Sequence, residues 1–137
     1  MTVYLTRRES FCASHRLHSE KLSEEENRKL FGKCNSENGH GHNYFIEVTV
    51  RGEPNSDTGL VMNLTELKEI IHRAILDKVD HKHLNLDVKE LKGINPTTEN
   101  LARAFFSMLT PAVPKGMLFE VRVFETEKNS AAFRGEN

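Results

Sequence analysis

An α+β fold, with an antiparallel sheet covered on one face by two helices, is what the order of patterns in this sequence predicts. Three observations carry it: two-residue alternation near both ends, helical periodicity between them, and turn chemistry at the joins. The chain has 137 residues, enough for one domain spanning 1–137 with a real core. Nineteen Lys and Arg against twenty Asp and Glu give a net charge of −1. No global basic field draws such a protein to nucleic acid or anionic lipid, so the expected partner is a small molecule. The first ten residues, MTVYLTRRES, contain no apolar segment of signal-peptide length, and no run approaches the ~20 apolar residues that span a bilayer. A cytoplasmic location without membrane contact is expected. In that reducing compartment Cys12 and Cys34 read as free thiols.

Thr2 to His15 reads as a strand, with Val3 and Leu5 alternating with Tyr4 and Thr6 and the phase resuming at Phe11, Ala13 and His15. A bulge at Arg7-Arg8-Glu9 would shift that register. Cys12, on the opposite phase, reads as a small packed residue. Ser23-Glu24-Glu25-Glu26 is a capping-box pattern opening a short helix that ends near Gly32, within a polar insertion. His42 to Arg51 is the clearest strand: Tyr44, Ile46, Val48 and Val50 share a face with His42, opposite Phe45, Glu47, Thr49 and Arg51. Turn residues from Gly52 to Asp57 lead to a short returning strand, Gly59 to Met62.

Asn63 caps the next helix, whose stripe of Leu64, Leu67, Ile71, Ala74 and Ile75 runs to about Val79. Pro96 and Thr97 open a second helix, with Leu101, Ala104, Phe105, Met108 and Leu109 on one side and Pro111 and Pro114 at its end. Met117 to Thr126 is then a strand with Phe119, Val121 and Val123 on one face, and Ser130 to Arg134 is a weak last strand. Apolar residues such as Phe45 and Phe124 remain on the uncovered sheet face, which predicts a partner subunit.

Chemistry concentrates in Phe31 to Tyr44, FGKCNSENGHGHNY, which puts one thiol and two imidazoles within nine residues. His40 and His42, two apart on a strand, leave the backbone on one face and can share a metal. Gly39 and Gly41 remove side chains that would crowd a ligand. His15 supplies a third imidazole if its strand lies alongside, and three neutral nitrogens with one open position suit catalytic zinc. A flexible loop carrying surface histidines is the plainer reading of the same pattern. Cys34, beside Lys33, suits a thiolate base or nucleophile, or the fourth ligand of a closed structural zinc site.

Asp80 can orient His81 and raise its basicity if the two touch in space. His81 and His83 form a competing second pair, and His18 and His72 read as surface residues. Glu125 continues the phase of Val121 and Val123. A carboxylate on an apolar face is costly unless it is paired, and its two oxygens suit the adjacent N–H donors of a guanidine-like ring edge, unless the strand end is already in solvent.

Six segments in order resemble the 6-pyruvoyl-tetrahydropterin synthase family, from about Ser10 to Glu127: SFCASHRL, FGKCNSENGHGHNY, TGLVMNL, the DHK of Asp80 to Lys82, NPTTEN and ETEKN. The resemblance implies that His15, His40 and His42 hold Zn2+, and that Cys34, Asp80 and His81 form the catalytic group. It also implies that Glu125 anchors a pterin ring, with Thr97, Thr98 and Glu99 beside it. The implied fold is the tunnelling fold, a four-stranded antiparallel sheet with two helices on one face. Three subunits join their sheets into a barrel, and two barrels stack into a homohexamer with active sites between subunits.

The implied reaction converts 7,8-dihydroneopterin triphosphate to 6-pyruvoyl-tetrahydropterin plus inorganic triphosphate, in tetrahydrobiopterin biosynthesis, without nicotinamide and with Mg2+ as a companion of the triphosphate. A related 6-carboxy-tetrahydropterin synthase of the queuosine pathway is the alternative by chemistry; in that family three residues usually separate the thiol from the HGH motif, whereas five, Asn35 to Gly39, intervene here. A non-catalytic zinc module with Cys34 as fourth ligand is the alternative from another class. Two departures stand out: His83 where the family's DHKN run has Asn, and a final SAAFRG strand poor in β-branched residues.

Overall fold

Residues 1–136 are described by the computed structural model. Two strands of 13 residues, β1 (Val3–His15) and β2 (His40–Gly52), form its spine. They pair antiparallel in uninterrupted register, from Val3 opposite Gly52 to His15 opposite His40. The bulge allowed for at Arg7-Arg8-Glu9 is absent. On the far side of β2 lie β4 (Leu118–Phe124) and then β5 (Ser130–Phe133), both antiparallel. The outer edge of β1 carries a two-residue strand, β3 (Lys82–His83), paired parallel. The sheet therefore has five strands in the order β3-β1-β2-β4-β5, where four antiparallel strands were expected.

Alternation decides which face is buried. Tyr44, Ile46, Val48 and Val50 are completely buried, joined by Phe11 and Ala13 of β1 and Val121 and Val123 of β4. Burying each large apolar side group of this kind is worth roughly 1.5–3 kcal/mol. This face is covered by α2 (Leu64–Ile71) and α4 (Thr98–Leu109), which bury Leu67, Ile70 and Ile71, and Leu101, Phe105 and Leu109. Each starts where its cap requires: Asn63 accepts from the Thr65 N–H at 2.9 Å and Thr97 from the Asn100 N–H at 3.1 Å. The backbone leaves α2 through a π-helical segment, His72–Leu76, before the short α3 (Asp77–Val79), where one regular helix was expected. The predicted capping box opens α1 (Glu24–Phe31), with Ser23 and Glu26 each accepting from the other's backbone.

Three other expectations are corrected. Gly59 to Met62 is not a strand; Asn55 folds the turn onto itself, accepting from the N–H groups of Asp57 and Thr58, and Met62 is buried. The β2–β4 register shifts between Thr49 and Val50, so Leu118 takes the core side and Phe119 turns to the open face, edge-on to Tyr4 at 4.7 Å. Period-two reading through Phe119 fails because a register shift resets the phase. Cys12 is exposed rather than packed. On the open face Phe45 and Phe124 flank the Arg8 guanidinium at 4.0 and 4.9 Å, and Arg8 pairs with Glu47 at 2.9 Å. Among the described residues no helix is long and apolar enough to cross a membrane.

Candidate active site

The register of the central strands assembles the imidazoles. His15 lies directly opposite His40, and His42 is two residues further along the same face of β2. Ring centroids are 5.0 Å apart for His15 and His40, 5.1 Å for His15 and His42, and 4.6 Å for His40 and His42. The Nε2 atoms of His40 and His42 are 2.8 Å apart. Glu125, just past the end of β4 on the core-facing phase, brings Oε1 to 3.1 Å from His42 Nε2. Thr98 Oγ1 donates to its other oxygen at 3.0 Å. One donor atom from each of His15, His40, His42 and Glu125 lies within 4.8 Å of all the others.

Protonation follows from the partners. His15 is fully buried, and its Nδ1 is 2.9 Å from the carbonyl of Pro96. A carbonyl only accepts, so Nδ1 carries the hydrogen and Nε2 presents a bare lone pair. That Nε2 is buried with no hydrogen-bond partner, a costly arrangement unless something else binds it. Burial is also the first cause lowering the pKa of both His15 and His42, which favours neutral rings. Neutral nitrogens and a carboxylate on a shared centre fit a cation such as zinc, whose bonds to such atoms are about 2 Å long. Gly39, at φ 79°, permits the approach to this cluster: a Cβ there would come within 2.9 Å of the His15 carbonyl oxygen and of His83 Nε2. A Cβ on Gly41 would meet only the Ala13 carbonyl oxygen, at 3.6 Å, so the second glycine is not needed for space.

Cys34 sits in a 3-10 turn, Gly32–Asn35, tied to the segment that follows His15. Leu17 N–H donates to the Cys34 carbonyl at 2.7 Å, and Asn35 Nδ2 donates to the Leu17 carbonyl at 2.7 Å. Burial, and then the charge of Glu125, push the Cys34 thiol above its ordinary pKa, opposite to the effect expected from Lys33. The donor group that converges is completed by Glu125 and not by Cys34, against a closed four-ligand site built on the thiol.

Asp80 and His81 do touch, with Asp80 Oδ1 3.0 Å from His81 Nδ1. The same oxygen accepts from the Cys12 N–H at 3.0 Å, and the His81 N–H donates to the Cys12 carbonyl at 2.6 Å. His81 is held at φ 62°, the one non-glycine residue with positive φ among those described, at a cost of order 1–3 kcal/mol. The pair borders a cavity of about 440 Å³ with Ser10, Cys12, Asn43 and Phe45. Ser10 and Cys12 lie on the open-face phase of β1, and Asn43 and Phe45 on that of β2. The cavity therefore opens on the side of the sheet opposite the imidazole cluster.

Of the NPTTEN segment, Pro96 and Thr98 reach the cluster, Thr97 caps α4, and Glu99 is exposed. His81 and His83 gather no third donor among the described residues; His83 Nδ1 instead accepts from the Asn85 N–H at 3.2 Å. His18 and His72 are half-buried rather than free on the surface, His18 beside Asn35 and His72 3.3 Å from Glu9. Sequence reasoning placed Tyr44 and Pro96 only as strand and helix-start residues. Their link to His15 needed the register, and a lone tyrosine in an aliphatic phase beside a histidine pair was the available signal.

A sheet covered on one face by helices, with three imidazoles and a carboxylate gathered at the strand ends, defines a candidate single-metal enzyme. The family model described as 6-pyruvoyl tetrahydropterin synthase matches residues 4–136. A 6-pyruvoyl tetrahydrobiopterin synthase of Dictyostelium discoideum is 54% identical over 135 residues, covering 98% of this chain and 98% of that protein. One of Homo sapiens is 50% identical over 132 residues, covering 96% and 91%. The solved structure of the Caenorhabditis elegans 6-pyruvoyl tetrahydropterin synthase superposes with a TM-score of 0.93 at 43% identity, covering 99% of this chain and 97% of that one. The chain belongs to the 6-pyruvoyl tetrahydropterin synthase family and is an enzyme, a lyase.

Proposed function

We propose that this protein, as one catalytic domain over 1–137, is a zinc-dependent lyase of tetrahydrobiopterin biosynthesis. It converts 7,8-dihydroneopterin triphosphate to 6-pyruvoyl-tetrahydropterin and inorganic triphosphate. The observation that carries the reading is the buried, partnerless Nε2 of His15 facing His40 and His42. His15, His40 and His42 would hold the metal, which supplies Lewis acidity toward the hydroxyls on the pterin's substituent.

The remaining steps fall to the protein. Glu125, steadied by Thr98, binds the N–H edge of the pterin ring and so fixes which substituent carbon faces the thiol. Cys34, once deprotonated, takes a proton from that carbon. His81, held by Asp80, delivers and removes protons at the other positions. Glu125 is near enough to Cys34 for its charge to raise the thiol's pKa, whereas the cavity beside Asp80–His81 opens on the other side of the sheet, so the working site takes the two from adjacent subunits, in a homohexamer of two stacked trimers acting in the cytoplasm. Mg2+ accompanies the triphosphate.

The test is incubation of zinc-loaded protein with 7,8-dihydroneopterin triphosphate without nicotinamide, with the pterin product identified by mass spectrometry. A pyruvoyl product is expected. A carboxy product would move the protein to the queuosine branch, and no turnover by a folded, zinc-bound oligomer would end the enzymatic assignment of this substrate.

A further inference from the structure

Beyond the three imidazoles, one residue controls how the buried histidine is presented. The Tyr44 hydroxyl lies 3.2 Å from His15 Nδ1, on the same nitrogen that faces the Pro96 carbonyl at 2.9 Å. Both residues are buried, Tyr44 completely, and Pro96 directly precedes the capping residue of α4. The hydrogen on Nδ1 is fixed by the carbonyl, so the phenol oxygen can only accept from it, and the phenol's own hydrogen must turn away from the ring.

A single acceptor would leave the imidazole free to roll about one hydrogen bond. Two acceptors on one N–H, set by a strand and by a helix start, remove that freedom. The resulting ring stands nearly perpendicular to its neighbours, at 72° to His40, 87° to His42 and 89° to Tyr44. Tyr44 is itself clamped, its ring stacked on Phe11 at 4.8 Å and 3°. Outer groups of this kind set the tautomer and aim of a metal-binding histidine, and their loss typically costs 10–100-fold in affinity.

We propose that Tyr44 is a positioning residue which, together with the Pro96 carbonyl, locks His15 as the Nδ1–H tautomer and aims its Nε2 at the centre shared with His40 and His42. The role rests on the metal-binding reading of that cluster, and it is a statement about affinity and geometry rather than about proton transfer.

The test uses Tyr44→Phe, which keeps the ring and its stack on Phe11 while deleting the oxygen. Zinc affinity is measured by chelator competition and coordination by the visible absorption of the cobalt-substituted protein. Phe11→Leu serves as a packing control that leaves the hydroxyl in place. The expected result for Tyr44→Phe is an affinity lower by about tenfold with an altered cobalt spectrum. Phe11→Leu is expected to lower thermal stability while affinity stays within about twofold, well short of an outer-shell loss. Equal affinity and an unchanged spectrum in folded Tyr44→Phe would overturn the proposal, as would an equal loss in both variants.

A second measurement needs no variant. Nitrogen-15 NMR of the metal-free wild type should show the His15 hydrogen on Nδ1, and a hydrogen on Nε2 would overturn the lock even if Tyr44→Phe failed to fold. If wild-type protein bound no zinc at all, the metal reading would fall while the tautomer measurement still decided the geometry.

Discussion

The imidazole cluster lies on the helix-covered face of the sheet and the Asp80–His81 pair at its β1 edge, beside a cavity on the open face, and they are built by opposite means. His15, His40 and His42 face the helices, and their meeting is a consequence of strand register, with His15 fully buried and Nδ1 bonded. Asp80 and His81 lie at the open edge, held by a positive φ and three hydrogen-bonding contacts to Cys12 and to each other. A buried register fixes ligand positions firmly but leaves little room for motion. A strained, exposed pair can face outward to a neighbour, which suits a group that must meet its partner from another subunit.

The largest expected effect breaks the buried half. His42→Ala should lower zinc affinity by at least roughly 100-fold, more than an outer-shell change costs, with zinc content read by elemental analysis. A fully metallated His42→Ala protein would remove the cluster from the metal site. Next, Cys34→Ala should cut turnover by roughly 10²–10⁴-fold, the worth of a positioned general base, while zinc content stays unchanged. Joint loss of zinc and oligomer would instead favour the structural role for the thiol.

Asp80→Asn sharpens the comparison from the exposed side. Turnover should fall by roughly 10²-fold, the low end for proton transfer, again with zinc retained. The smallest effect lies outside both regions. Lys78 and Glu90 are paired at 2.7 Å, and the hydrogen bond from Lys78 is the first cause holding the Glu90 carboxyl below its ordinary 4.5. A depressed folded-state pKa means that the pair stabilises the fold fully above that ordinary value and is lost as pH falls through the lower folded value. As a partly exposed pair, screened by solvent, it is worth about 0.5 kcal/mol. Chemical denaturation of Glu90→Gln and wild type at neutral pH should show that difference, and it should vanish in strong acid.

The buried half was largely legible in the sequence. Period-two alternation through Tyr44 to Val50 and through Phe11 to His15 predicts both strands and the common facing of the three histidines, because one buried face leaves little freedom of register. The facing of Glu125 was legible for the same reason, but its meeting with the three histidines was not, since that depends on how β4 pairs with β2. What alternation does not carry is phase across an irregularity, so Phe119 was placed on the wrong face. It also does not carry pairing, so the two-residue β3, which owes its existence to the edge of β1, was missed. The π-helical segment at His72–Leu76 changes hydrogen-bond partners, and the buried stripe differs from the expected one: Ile70 and Leu76 are buried, whereas Leu64 is exposed. The Asp80–His81 contact could be suggested but not seen, since adjacent residues meet only when the backbone turns unusually, as it does at φ 62°.

The division of the site between two faces is tested most directly by subunit complementation. Cys34→Ala and His81→Ala proteins, each inactive alone and each zinc-loaded, are dissociated together and reassembled. If the thiol of one subunit works with the Asp80–His81 pair of another, mixed oligomers contain some wild-type sites and regain turnover. Mixed, folded, zinc-loaded oligomers as inactive as their parents would contradict a site shared between subunits.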